Sequence, residues 1–560
     1  MKKFIDSNLH ITSWDTIKPY FDDLQKRNID TRGALEQWLQ DRSDLYETLE
    51  EDLAWRYIRT NQDTSNQEYK NAYVKYITDI LPYEEEAANK LDKKFITSPA
   101  INLLPSVPYG NMIKQTSLKL KTYSQKNIPL LAEMRQLEQK FAEIVSPLSI
   151  TIDDKELTLQ QASSLLENKD RAFRKDIYQK IVEKRKSVST ELDELFDKLV
   201  KLRHQIAINA GYKNYRDYKF DELGRTDYTP KDCHKFHRAI KLNIVPLVKQ
   251  FYQTRKEKLN LKTLTPYDLS VDIWGDTPLV PKNILDDTIE AFSLLDSQFG
   301  NFISTMKENG LLDLESRKNK APGGFNYPLY KSGMPFIFAN FAGNFHDLQT
   351  MVHEGGHAIH TFLTASLPLV EFKEFPSEVA EFASMSMELI SMKHWHLFFN
   401  NLKDTNRAKL RQLENIIEVL PWIAMVDLFQ HHIYLNPKLT PQERRNIWNE
   451  IYKEFSPDNL SWNEFEFYRE ILWQKQLHIF EVPFYYIEYG FAQLGAIAVW
   501  KNFTHNNKQG ISAYKKALSL GYTRDISSIY QTAGAKFSFD QQYIKELVNF
   551  VNTQKEQIEL

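Results

Sequence analysis

Over the first 145 positions apolar residues fall at steps of three and four. Leu35, Trp38, Leu39, Leu45, Tyr46, Leu49, Leu53 and Tyr57 recur this way with charges between them, the spacing of a helix with one buried face. The run N-Q-D-T-S-N from Asn61 to Asn66 breaks the pattern as a loop, and a further helical stretch continues through Lys93. Near Pro147 the period shortens to two. Leu148, Ile150 and Ile152 alternate with polar residues, Asp153-Asp154-Lys155 turns the chain, and Leu157 and Leu159 alternate again, which predicts a small hairpin. A soft boundary falls there, between an N-terminal helical region of residues 1–150 and a region of residues 151–560. Helices resume from about Leu159 to Ala210, with Gly211 as the stop. Tyr212 to Tyr228, dense in tyrosine and charge, reads as surface aromatics covering a helix bundle.

A second strand signal lies in Gly324–Tyr330 and Met334–Phe341, on either side of a Lys331-Ser332-Gly333 turn. Pro328 and Pro335 suit edge positions, since proline cannot donate to a ladder. An edge strand there offers free backbone groups to an extended peptide, with the segment Phe336–Phe341 as the expected holder. No internal repeat or low-complexity tract is visible. The pattern describes a mainly α protein with one short antiparallel sheet.

Composition narrows the function classes. A chain of 560 residues buries a large core and divides into two or more lobes. A net charge of −3 argues against a nucleic-acid binder that relies on bulk positive charge. The single cysteine, Cys233, excludes intrachain disulfides and multi-cysteine zinc sites, so a metal here needs histidine and carboxylate ligands. The N-terminus has no apolar signal run, and no 18-residue apolar window predicts a membrane span. A cytoplasmic location without membrane partners is the expectation.

The chemistry concentrates in D-L-Q-T-M-V-H-E-G-G-H-A-I-H, Asp347 to His360. His353 and His357 are four apart, so on a helix both imidazoles face one ion, with Glu354 beside it to handle the proton of a water. Asp347 is the expected N-cap. Two successive glycines, Gly355 and Gly356, cost a helix roughly 1 kcal/mol each relative to alanine, which makes sense where another chain must come close. A catalytic zinc takes three protein ligands. The metzincin continuation fails at His360 and Leu363, and the thermolysin-like E-x-x-x-D is absent. The next helix, from Pro376, and the residues just before it offer Glu374, Glu378, Glu381 and Glu388 as candidates.

The sequence resembles the M3 metallopeptidases, and among them the oligoendopeptidase F group. The likeness rests on H-E-x-G-H-x-x-H at His353–His360 and on E-x-A-S-x-x-x-E from Glu381 to Glu388. It implies Glu381 as third zinc ligand beside His353 and His357. Glu388 lies on the same helix face, where it can orient a ligand histidine. His360 is read as a packed residue.

Trp473–Ala496 is rich in hydrogen-bond donors, His478, Tyr485, Tyr486 and Tyr489, suited to a tetrahedral oxyanion. It resembles the His-then-tyrosine-pair stretch of the same family, which points to His478, Tyr486 and Tyr489 and leaves Tyr485 in competition with Tyr486. Cys233, His234 and His237 match no familiar zinc spacing, and His431 and His432, in P-W-I-A-M-V-D-L-F-Q-H-H, are likewise assigned to structure.

The resemblance implies a two-lobed, multi-helix enzyme with a deep central channel and one zinc ion. Glu354 activates the water, and the substrates are short peptides cut at internal bonds. A zinc carboxypeptidase of related helical fold and a non-catalytic peptide-binding protein are the rival readings.

Overall fold

The computed structural model describes residues 4–6, 9–275 and 279–560. It is mainly α, with two small sheets, and its chain forms two compact units that alternate along the sequence. The first holds Met1–Leu120, Leu279–Thr405 and Phe491–Phe537; the second holds Lys121–Pro278, Asn406–Gly490 and Ser538–Leu560. Among the described residues no helix is long and apolar enough to cross a membrane.

In the first unit the three-and-four spacing becomes one helix, Arg32–Gln62, capped by the Thr31 hydroxyl, which accepts from the Ala34 N–H. Leu35, Trp38, Leu39, Leu45, Leu49 and Ile58 are all buried. The buried Trp38 indole donates to the Leu24 carbonyl at 2.9 Å, so the ring packs without an orphaned donor.

The sheet of this unit has three strands in the order β3-β5-β4, where β3 is Leu312–Glu315, β4 Phe325–Leu329 and β5 Met334–Phe341. The β4–β5 hairpin has the expected antiparallel pairing. Strand β3, which pairs parallel with β5, was not expected, and it makes the sheet mixed. Its register is pinned by polar groups instead of apolar alternation. The buried Lys320 ammonium bonds the Asp313 carboxylate at 2.7 Å and the Ala339 carbonyl of β5 at 2.6 Å. The expectation that β5 is an edge is therefore corrected: it is the central strand, and β3 and β4 are the edges. Pro328 faces Pro335 across the hairpin. Facing residues of an antiparallel pair alternate between exchanging both bonds and exchanging none. Two prolines have no N–H to exchange, so theirs is an unbonded pair. Two residues along, Asn326 must then turn its N–H and C=O outward, away from β5.

In the second unit the predicted hairpin is β1 (Ser149–Ile152) and β2 (Lys155–Thr158), joined by Asp153 and Asp154 at φ 47° and 62°, the left-handed pair of a type I′ turn. Gly211 ends the preceding helix at φ 86°. The tyrosine-rich segment is not surface cover: Tyr215, Tyr218, Phe220 and Tyr228 are buried. Tyr215 packs on Tyr434 of the helix Leu402–Leu435 with ring centres 4.9 Å apart. An aromatic run amid charges has no period to reveal which side faces inward, and tertiary packing decided it.

Candidate metal centre

The motif helix, Phe345–Thr364, packs against β5 and against the helix Ser377–Ser391 that carries the glutamates. Its N-cap is Asn344, not Asp347. Asp347 is the third residue of a capping box, and its buried carboxylate accepts from the N–H groups of Ala342, Gly343 and Asn344. The helix start is thereby fixed to the end of β5.

Gly356 sets the distance between the two helices, and Gly355 the distance to Phe292. A Cβ on Gly356 would lie 2.6 Å from the Ser384 Cα and 3.0 Å from the Ala383 carbonyl oxygen; one on Gly355 would lie 2.7 Å from the Phe292 ring. Backbone meets backbone at Gly356, and the close approach carries Glu381 under the histidines. Its Oε2 is 3.4 Å from His353 Nε2 and 3.8 Å from His357 Nε2. Two 2.0 Å bonds at the tetrahedral angle separate their ligand atoms by about 3.3 Å, so these distances suit one shared cation. Of the carboxylates offered by the sequence, Glu381 joins both histidines in a cluster able to hold a metal ion. Ser384 Oγ lies 3.3 Å from Glu381 Oε2 and donates to it, a contact the sequence reading did not single out.

Glu388 Oε1 accepts from His353 Nδ1 at 2.7 Å, which leaves Nε2 to face the cluster. Burial opposes charge on His353, but hydrogen bonds to Glu381 and Glu388 outweigh it and hold its pKa well above the usual imidazole value. His357, dominated by burial, is pushed down to about 4. Burial raises the Glu354 carboxyl to about 7, with the charge of His353 opposing and those of Glu381 and Glu388 adding. Its Oε2 is buried and has no hydrogen-bond partner among the described residues, an acceptor within the electrostatic reach of His353 and Glu381. That donor set and that free acceptor fit a zinc ion with a water. His360 is packed as expected, its ring stacked 3.6 Å from that of Phe375.

In the second unit His478 and the tyrosines form one cluster. The His478 ring centre is 5.9, 4.8 and 5.8 Å from those of Tyr485, Tyr486 and Tyr489. Trp422 Nε1 donates to Gln476 Oε1 at 2.8 Å, and Gln476 Nε2 lies 2.7 Å from His478 Nδ1. An indole N–H only donates, so the amide oxygen must face Trp422 and the amide nitrogen must donate to His478. A neutral His478 then carries its proton on Nε2, as a donor. The tyrosines follow Phe484, which sits at φ 67°. That turn is held by Gln430, which accepts from the Phe484 N–H at 2.8 Å, and by the buried Arg225, which donates to the Phe484 carbonyl and pairs with Glu488 at 2.7 Å. The sequence reading missed Gln476, Gln430 and Arg225, which act only through partners distant in the chain.

Comparison with known proteins gives the family. Residues 164–549 match the model of peptidase family M3, and residues 4–123 match that of the peptidase M3 N-terminal domain. The chain is 22% identical over 516 residues to oligopeptidase PepF of Bacillus subtilis, covering 86% of this chain and 74% of that one. It is 24% identical over 418 residues to an oligoendopeptidase F homolog of Borreliella burgdorferi, covering 71% and 68%. A solved structure of PZ peptidase A with an inhibitor superposes over the whole of both chains with a TM-score of 0.91 and 26% identity. The chain is thus a peptidase that belongs to family M3 and, within it, to the oligoendopeptidase F group.

Proposed function

We propose that this peptidase is a zinc-dependent endopeptidase that cuts internal bonds of short oligopeptides. The observation that carries the reading is the convergence of Glu381 Oε2 on His353 Nε2 and His357 Nε2, at 3.4 and 3.8 Å. A zinc ion bound there would polarise a peptide carbonyl and bring the pKa of water from 15.7 to about 7. His353, His357 and Glu381 are its ligands, and Glu388 fixes the His353 tautomer. The free Glu354 oxygen takes the proton of the attacking water and returns it to the leaving nitrogen. His478, Tyr486 and Tyr489 are the donors assigned to the substrate carbonyl, and Asn326 on the outer edge of β4 is assigned to the substrate backbone.

The test is cleavage of a peptide acetylated at its N-terminus and amidated at its C-terminus. Wild-type protein should cut it internally and stop when a chelator is added. Glu354→Gln should keep its zinc and lose about 10²–10⁴-fold in kcat. Cleavage that requires a free terminal carboxylate would instead establish a carboxypeptidase, and zinc binding without any cleavage would establish a peptide-binding protein.

A further inference from the structure

We infer that Cys233, Asp427 and His431 form a second cation site, of the class that takes zinc, buried in the second unit, with His237 donating to the Asp427 carboxylate beside them. Cys233 and His237 are four apart on the helix Pro230–Asn243; Asp427 and His431 are four apart on the helix Leu402–Leu435. Each pair therefore shares one helix face. The two faces meet: ligand atoms of Cys233, Asp427 and His431 all lie within 4.8 Å of one another. His237 Nε2 is 2.8 Å from Asp427 Oδ2, across 190 residues of chain.

The four side chains are closed off from solvent, at 0% (Cys233), 4% (His237), 0% (Asp427) and 1% (His431) exposure. Burial of that depth requires a partner for every polar atom. Yet among the described residues Asp427 Oδ1, both ring nitrogens of His431 and Nδ1 of His237 have no hydrogen bond. His431 Nε2 is 3.1 Å from Asp427 Oδ2 without the alignment of a hydrogen bond. A separation near 3.3 Å without that alignment is what two ligands of one tetrahedral ion show. Thiolate, imidazole and carboxylate together are the donors of a borderline-soft dication, which points to zinc over magnesium or calcium. The exposed His234, whose ring centre is 4.8 Å from that of His431, marks the side from which an ion enters.

The cation would have a structural role. It joins two helices of the second unit, and the His431 ring packs 5.3 Å from that of Phe484, in the turn that presents Tyr485 and Tyr486. The site rests on none of the residues proposed for hydrolysis, so the two assignments can fail separately.

The chain has one cysteine, which makes cobalt a selective probe. In protein produced with cobalt in place of zinc, a thiolate-to-cobalt charge-transfer band in the near ultraviolet arises from Cys233 alone. The expected result is that band in the wild type, its persistence in His357→Ala, and its loss in Cys233→Ser with one metal ion fewer per chain by elemental analysis. Cobalt-containing wild-type protein without the band would overturn the site and leave a buried His–Asp–His group without an ion. The wild-type spectrum decides the question even if a variant fails to fold.

Discussion

Gly356→Ala tests whether helix spacing makes the metal centre. The new Cβ would stand 2.6 Å from the Ser384 Cα, where carbon atoms normally keep about 3.5–4.0 Å. Ser384 is backbone inside a packed helix and cannot rotate away, so the helix Ser377–Ser391 must retreat by about 1 Å. Glu381, one turn earlier on that helix, retreats with it. Its 3.4 Å separation from His353 Nε2 would widen to about 4.4 Å, beyond the roughly 3.3 Å that a shared tetrahedral ion sets. Overpacking costs about 1–3 kcal/mol, and alanine returns about 1 kcal/mol of helix propensity, so the fold should survive with a small fall in Tm. Zinc affinity, measured by competition with a chromophoric chelator, should fall about 10–100-fold, the scale at which disturbed ligand support is felt. Gly355→Ala is the control: its Cβ meets the Phe292 ring at 2.7 Å, a side-chain contact outside the glutamate helix. That variant should lose stability and keep its zinc affinity. If Gly356→Ala binds zinc within twofold of wild type, the spacing argument is wrong.

Three further outcomes follow from other contacts. Glu388→Gln removes the charged acceptor 2.7 Å from His353 Nδ1 and should weaken zinc binding about 10-fold, seen in the same chelator competition. Gln476→Leu releases His478 from its fixed tautomer and should lower kcat by about 10²-fold, the scale of a lost oxyanion donor, with KM little changed; an unaltered kcat would remove His478 from the mechanism. Burial, opposed by Lys119 and reinforced by Glu371 and Glu50, raises the Glu374 carboxyl to about 7. A carboxyl with a raised folded pKa contributes fully below its ordinary 4.5 and loses stability as pH rises to about 7. Glu374→Gln, which stays neutral, should therefore match wild type in unfolding free energy at pH 4 and exceed it at pH 8 by about 3 kcal/mol, measured by denaturant titration; a gain at both pH values would contradict the titration.

What the sequence could reveal depended on the range of each contact. The pairing of His353 with His357 is legible because four residues of helix bring them together. Glu381 is not, since its place depends on how closely a second helix approaches; four glutamates remained open until the family likeness chose among them. Gly356 was readable as a place where another segment comes close, but not which one; the structure gives Ser384. Strand β3 was invisible because Lys320 and Asp313 hold it, and a buried ion pair leaves no alternating pattern. Asp427 was within reach, four residues before His431 in a quoted segment, but a search for clustered carboxylates passes over a single aspartate whose partner histidine lies in another helix.

The facing prolines of the β4–β5 hairpin limit what a further strand could bond along this sheet. A bare sheet edge invites any unpaired strand, including one from another copy of the same chain. On β4, Asn326 can exchange a full pair of bonds with a visitor, but Pro328 offers only its carbonyl. A guest strand thus finds one complete rung and half of the next. That sets how many bonds any added strand could form there.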